Sequence, residues 1–139
     1  MRANISFVTL GVTDVAASTR FYQALGLVKH PRSNEHITFF DMSGQILGLF
    51  GAASLAEDAG LGPRGEGFGG IALAHNVASK ENVQTLIDQA VAAGGSQLRP
   101  ASEPPWGGLR GYFADPDGNP WEVAWNPGCT IDDAGRISF

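Results

Sequence analysis

The chain has 139 residues, of which 43% are hydrophobic, with a formal net charge of −5, 19 glycines and one cysteine, Cys129. That length suits one compact unit or two small, mutually dependent halves. An acidic balance without any Lys/Arg cluster argues against nucleic acid, and a lone cysteine excludes an internal disulfide or a thiolate metal cluster. No bilayer-length apolar run and no charged-then-apolar leader stand in the sequence, so the expectation is a cytoplasmic protein with no membrane partner.

Ile5 to Val12 alternates, with Val8, Leu10 and Val12 on one face and Phe7, Thr9 and Gly11 on the other, the pattern of a half-buried strand. Thr13 or Asp14 is placed to cap a helix that Gly26 stops, with Ala17, Phe21 and Leu25 on its apolar side. Val28 to His30 reads as a short strand. Strands follow over His36 to Met42 and Gln45 to Phe50, joined through Ser43-Gly44. Gly51 to Gly69, rich in glycine and alanine, reads as a linker or as a loop over a cavity.

After it the order repeats. Gly70 to Val77 reads as a strand. Ser79 to Ala93 reads as a helix capped by Ser79, with Val83, Leu86, Ile87 and Val91 on one side and Gly94-Gly95 as its stop. Ser96 to Pro100, Gly108 to Ala114 and Asn119 to Asn126 complete the strands. The tail reads as an added strand or hairpin turning at Asp133-Ala134-Gly135. Periodicity thus predicts an α+β fold of two tandem βαβββ modules: residues 1–51, a linker over 52–69, residues 70–126, and a tail over 127–139. A curved mixed sheet would enclose a cavity, with the helices outside. Neither module buries both faces of its sheet alone, so the halves are expected to pair.

The segment from Phe113 to Trp125 carries the chemistry. Asp115-Pro116-Asp117-Gly118 supplies a preset φ at the proline and a free positive φ at the glycine, so the chain reverses there. On the return, Trp121, Val123 and Trp125 share one face and want a core, which sends Glu122 to the opposite face. Without a bulge in the turn, Tyr112 lies opposite Glu122 and Arg110 near Ala124. Arg110 then either pairs with Glu122 to fix register or stands as an anchor for an anionic ligand. Trp106 follows Pro104-Pro105 in a loop at the rim of that wall, where it either stacks on a planar ligand or plugs a gap.

Two segments together resemble the vicinal oxygen chelate superfamily, which includes glyoxalase I, bleomycin-resistance proteins, fosfomycin-resistance enzymes and extradiol dioxygenases. One is the opening strand with Asp14, Phe21-Tyr22 and Leu25-Gly26. The other is the closing Asp115-Pro116-Asp117-Gly118-Asn119 turn that leads to Glu122. The resemblance implies paired βαβββ modules and a homodimer. In metal-dependent members it implies a divalent ion held by the first strand, the strand opening the second module and the last strand. In this chain those positions are Phe7, Gly70 and Glu122, and neither a Phe nor a Gly side chain can donate to a metal. The expectation is therefore no metal or other cofactor. By strand parity His75 falls on the face opposite the Gly70 position, and His30 and His36 read as surface or edge residues.

Two functional readings follow. One is a metal-free binder in the manner of the bleomycin-resistance branch, holding a small organic molecule with Phe7, Thr9, Trp106, Arg110, Tyr112 and Glu122. The other is an enzyme, a glyoxalase-like lyase or isomerase or a dioxygenase relative, with Glu122 and Tyr112 as an acid/base pair. Cys129 has no base near it in sequence and reads as non-catalytic.

Overall fold

The computed structural model describes residues 5–62, 65, 67–105 and 107–138. The fold is α+β, and the chain divides into two compact units, Met1–Gly69 and Gly70–Phe139.

The first unit holds β1 (Phe7–Val12), α1 (Val15–Ala24), β2 (Ile37–Asp41), β3 (Ile46–Gly51) and α2 (Ala52–Asp58). Its sheet runs in the order β1-β3-β2, with β3 parallel to β1 and antiparallel to β2. The Asp14 carboxylate caps α1 by accepting the Ala17 N–H at 2.9 Å, and Gly26, at φ +97°, ends it. The buried side of α1 is Ser18, Thr19, Phe21 and Tyr22, whereas Ala17 and Leu25 are only half-buried. The sheet decides this shift. It presents Thr38 and Phe40 to the helix, so Thr19 hydrogen-bonds Thr38 at 2.8 Å and the Tyr22 ring lies 6.0 Å from Phe40.

The strand read at Val28 to His30 shrinks to one bridge, Lys29 to Phe40, followed by a His30 N–H bond to the Phe39 carbonyl at 2.8 Å. Pro31 has no N–H with which to extend the ladder. Ser43 and Gly44, at φ 59° and 123°, make the two-residue turn between β2 and β3. The stretch read as a linker contains α2, whose Ala-Ala-Ser-Leu-Ala-Glu-Asp run favours a helix although none of its residues is buried. Gly11 lets α2 approach β1, since a Cβ there would lie 3.2 Å from the Ala52 Cα.

The second unit repeats the plan with β4 (Leu73–Asn76), α3 (Glu81–Ala92), β5 (Ser96–Ser102), β6 (Leu109–Ala114) and β7 (Pro120–Trp125), in the order β4-β7-β6-β5. A tail hairpin of β8 (Thr130–Ile131) and β9 (Ile137–Ser138) follows, with Gly135 in its turn at φ +76°. Strand β4 begins three residues later than periodicity suggests, because Gly70 sits at φ +82°, outside the extended region. Helix α3 starts at Glu81 with Lys80 at its cap position and no side-chain cap; Ser79 hydrogen-bonds the Glu81 side chain instead.

The buried residues of α3 are Val83, Ile87 and Ala90, while Leu86 is half-buried and Val91 exposed. Gly111 on β6 sets that contact: a Cβ there would lie 2.5 Å from Ile87 Cδ1. Beneath α3, Trp121 is buried with its ring stacked on Phe113 at 6.2 Å. Trp125 departs from the expected core position. It is half-buried at the strand end, where the Lys80 ammonium lies 5.2 Å from its ring. No helix among the described residues is long and apolar enough to cross a membrane.

Candidate functional site

The site begins with the turn between β6 and β7. Pro116 and Gly118 allow the reversal, Gly118 at φ +81°, but the Asp115 side chain holds it. Buried at 3% exposure, it accepts the N–H groups of Asp117 at 3.0 Å and Asn119 at 2.8 Å through one oxygen, and the Asn119 amide at 2.9 Å through the other. Its backbone N–H closes the ring on the Asn119 carbonyl at 3.1 Å. No residue is left over in the ladder, so β6 and β7 pair without a bulge: Arg110 opposite Ala124, Gly111 opposite Val123, Tyr112 opposite Glu122, Phe113 opposite Trp121.

Directly opposed residues of an antiparallel pair share a face. Gly111, Val123 and Trp121 lie towards α3, which places Arg110, Tyr112, Glu122 and Ala124 on the face away from the helix. Strand β4 adds Ala74 beside Glu122 and Asn76 beside Ala124. Arg110, Tyr112 and Glu122 are all half-buried there. Burial and the neighbouring Glu122, which also hydrogen-bonds the phenol, push the Tyr112 pKa above its ordinary 10.0; Arg110 and Arg99 pull against that rise. The Arg110 guanidinium donates to Ser102 Oγ. The ion pairs among the described residues are His36–Glu35, Lys80–Glu103 and Arg136–Asp132, and neither Arg110 nor Glu122 belongs to one.

Arg99 and Ser102 are the members of this face that sequence reading missed. Strand β5 is irregular between Gln97 and Arg99 and again between Arg99 and Ser102, and its register brings Arg99 opposite Tyr112 and Ser102 opposite Arg110. A bulge that re-aims a side chain leaves no trace in strand periodicity.

The other predicted site residues divide as follows. Phe7 and Thr9 lie on the face of the first unit's sheet away from α1. There the Phe7 ring meets Phe39 edge-on at 6.1 Å, and the Thr9 hydroxyl would lie 3.2 Å from a Cβ added at Gly48. Phe7 remains 56% exposed. Trp106 lies outside the described residues. His75 pairs with Val123 on the α3 side of its sheet, away from Glu122, and burial lowers its pKa. His36 is exposed beside Glu35, and the His30 ring accepts the Arg32 N–H at 3.2 Å.

Around Glu122 the paired neighbours are Ala74 and Tyr112, neither of which supplies a carboxylate or imidazole, and Gly70 precedes the strand. Among the described residues no three of His, Cys, Asp and Glu converge as metal ligands do. The donor set at this site does not fit a divalent ion, which asks for about three protein ligands.

No curated protein matches the chain. Among solved structures, a glyoxalase-related enzyme from Fulvimarina pelagi is 42% identical with a TM-score of 0.89, the match covering 99% of this chain and 98% of that one. A glyoxalase/bleomycin resistance protein/dioxygenase from Nocardioides is 27% identical with a TM-score of 0.72, covering 92% and 89%. Lactoylglutathione lyase from Agrobacterium tumefaciens shares the fold at 24% identity and a TM-score of 0.68, covering 91% and 96%. The model of the Glyoxalase/Bleomycin resistance protein/Dioxygenase superfamily matches residues 4–123, and the chain belongs to that superfamily.

Proposed function

We propose that this protein binds a small organic molecule without a metal ion, on the face of the β4-β7-β6-β5 sheet that points away from α3. The observation that carries the reading is the register of Arg110, Tyr112 and Glu122 on that face, together with the absence of an ion pair between the arginine and the carboxylate. A cation, a phenol and a carboxylate set among alanines suit a ligand with a planar or apolar body and an anionic or hydrogen-bonding group. The protein acts in the cytoplasm as a homodimer with no nucleic-acid or membrane partner; light scattering should give twice the 14.6 kDa chain mass.

The test is a thermal-shift screen of small metabolites and antibiotics, followed by calorimetry of the best compound on Arg110→Ala. Binding should weaken by more than about 1 kcal/mol, the size of a lost charge-assisted hydrogen bond. Lowered stability with unchanged binding would show that Arg110 serves the fold alone. Metal content after native purification is a second check, and a stoichiometric transition metal would overturn the metal-free reading.

A second reading, that of a lyase or isomerase, is supported by the hydrogen bond between Tyr112 and Glu122 and by the glyoxalase-related enzyme that is 42% identical. In it Glu122 takes a proton from the substrate and Tyr112 returns one. Turnover of a bound compound that disappears in both Glu122→Gln and Tyr112→Phe, with binding retained, would establish it.

A further inference from the structure

We propose that Arg99 and Arg110, diagonal neighbours beside Tyr112, form a two-pronged clamp, and that the ligand it takes is an organic dianion bearing a phosphate, a phosphonate or a second carboxylate. The inference rests on the reading that this sheet face holds a small molecule, and it narrows the chemical class.

Strand β5 begins with Gln97 opposite Phe113 on the α3 side, where the Gln97 amide oxygen accepts from the Gln84 side chain at 2.9 Å. In a regular strand Arg99, two residues on, would return to that same side. Instead the irregularity between Gln97 and Arg99 brings Arg99 opposite Tyr112, on the face away from the helix. Arg110 stands two residues before Tyr112 on the neighbouring strand. The two arginines are therefore diagonal neighbours, with Cα atoms roughly 7–8 Å apart.

Neither arginine belongs to an ion pair among the described residues. Arg110 is half-buried and oriented by its bond to Ser102, whereas Arg99 is exposed and free to close on a ligand from outside. Tyr112 neighbours both arginines, Arg99 directly across on β5 and Arg110 two residues along its own strand, and Glu122 engages its phenol from β7. Two adjacent unpaired guanidinium groups repel each other until an anion bridges them, and each offers a planar fork to two oxygens. In a chain with a net charge of −5, two arginines against the single carboxylate of Glu122 leave this face with surplus positive charge, which favours an anion.

The test is calorimetry of the full chain at pH 8 with three probes of similar body: phenyl phosphate (a dianion), benzoate (a monoanion) and benzyl alcohol (neutral). Phenyl phosphate should bind at least tenfold more tightly than benzoate, with benzyl alcohol weakest. Arg99→Ala and Arg110→Ala should each lower phenyl phosphate affinity tenfold or more and erase its advantage over benzoate. Arg99→Lys should recover only part of the loss, because an ammonium cannot grip two oxygens in a plane. Loss in Arg110→Ala with Arg99→Ala within twofold of the parent overturns the clamp and leaves the binding face standing. Unchanged affinity in both variants, or no phenyl phosphate binding at all, overturns the clamp as well; if the best compound of the screen is also indifferent to Arg110→Ala, the binding face falls with it. Arg99 is exposed, so its variants keep the fold, and unchanged melting temperatures verify this.

Discussion

The two modules share a sheet plan, with three strands in the first and four in the second, and use it for different ends. In each, the first strand lies parallel to the last, and a helix covers one side of the sheet. The first module's hairpin turns at Ser43-Gly44, where the exposed Asp41 carboxylate accepts one bond, from the Ser43 N–H at 3.0 Å. The second module's hairpin turns around buried Asp115, which accepts three. The faces away from α1 and α3 differ in the same sense. The first shows Phe7, Thr9, Phe39 and Gly48; the second shows Arg99, Arg110, Tyr112 and Glu122. A repeated backbone plan leaves chemistry free to vary, and the rigid turn lies next to the polar face, where register decides which side chains meet.

The largest contrast should come from the turns. Asp115→Ala strands the buried N–H and amide of Asn119 and the part-buried N–H of Asp117, and should cost about 3 kcal/mol; Asp41→Ala removes one exposed bond and should cost about 0.5 kcal/mol. Urea unfolding of both variants measures the difference, and equal losses would mean that the two hairpins are held alike. Glycine substitutions sharpen the comparison of packing. Gly111→Ala drives a methyl into Ile87 Cδ1 at 2.5 Å and the Arg99 carbonyl at 2.9 Å, so about 2 kcal/mol should be lost. Gly48→Ala meets Thr9, its Oγ1 at 3.2 Å, on the face away from α1, and should cost under about 1 kcal/mol.

The helix starts differ as well. Asp14→Ala should cost about 1 kcal/mol because α1 depends on that cap, whereas α3 has no side-chain cap to lose at Lys80.

The smallest expected effect is a titration. The folded-state pKa of Tyr112 lies above the ordinary 10.0, so its contribution to stability is fully present below pH 10 and is lost as pH rises through the folded value. The near-ultraviolet difference between the parent and Tyr112→Phe isolates this phenol from Tyr22. Ionisation at or below pH 10 would show that Glu122 and burial do not act on it as described.

Much of this was legible in the residues. Alternation along Phe7 to Val12 and Pro120 to Trp125, the glycine stops at Gly26 and Gly94-Gly95, and the Pro116/Gly118 reversal are local, and local sterics write them directly into sequence. The opposition of Tyr112 and Glu122 followed because an unbulged hairpin has one register. Helix faces were harder. The spacing of Ala17, Phe21 and Leu25 suggested one stripe, but the side that is buried was chosen by Thr38 and Phe40 on a strand 19 residues from Thr19. Val91 is exposed and Trp125, at the end of its strand, only half-buried, so neither takes its expected core place.

The sequence by itself determined α1 and α3, most of the strands, the hairpin turns at Ser43-Gly44 and Pro116-Gly118, and the opposition of Tyr112 and Glu122. Each depends on backbone dihedrals or on side-chain alternation within a few residues. Tertiary structure alone decided that Arg99 joins Tyr112 and that Arg110 is bonded to Ser102 instead of Glu122. It also decided that Gly111 is where α3 can lie close. A bulge, a hydrogen bond between strands and a helix contact are set by which distant atoms arrive within a few ångströms, and that depends on the packing of the whole unit.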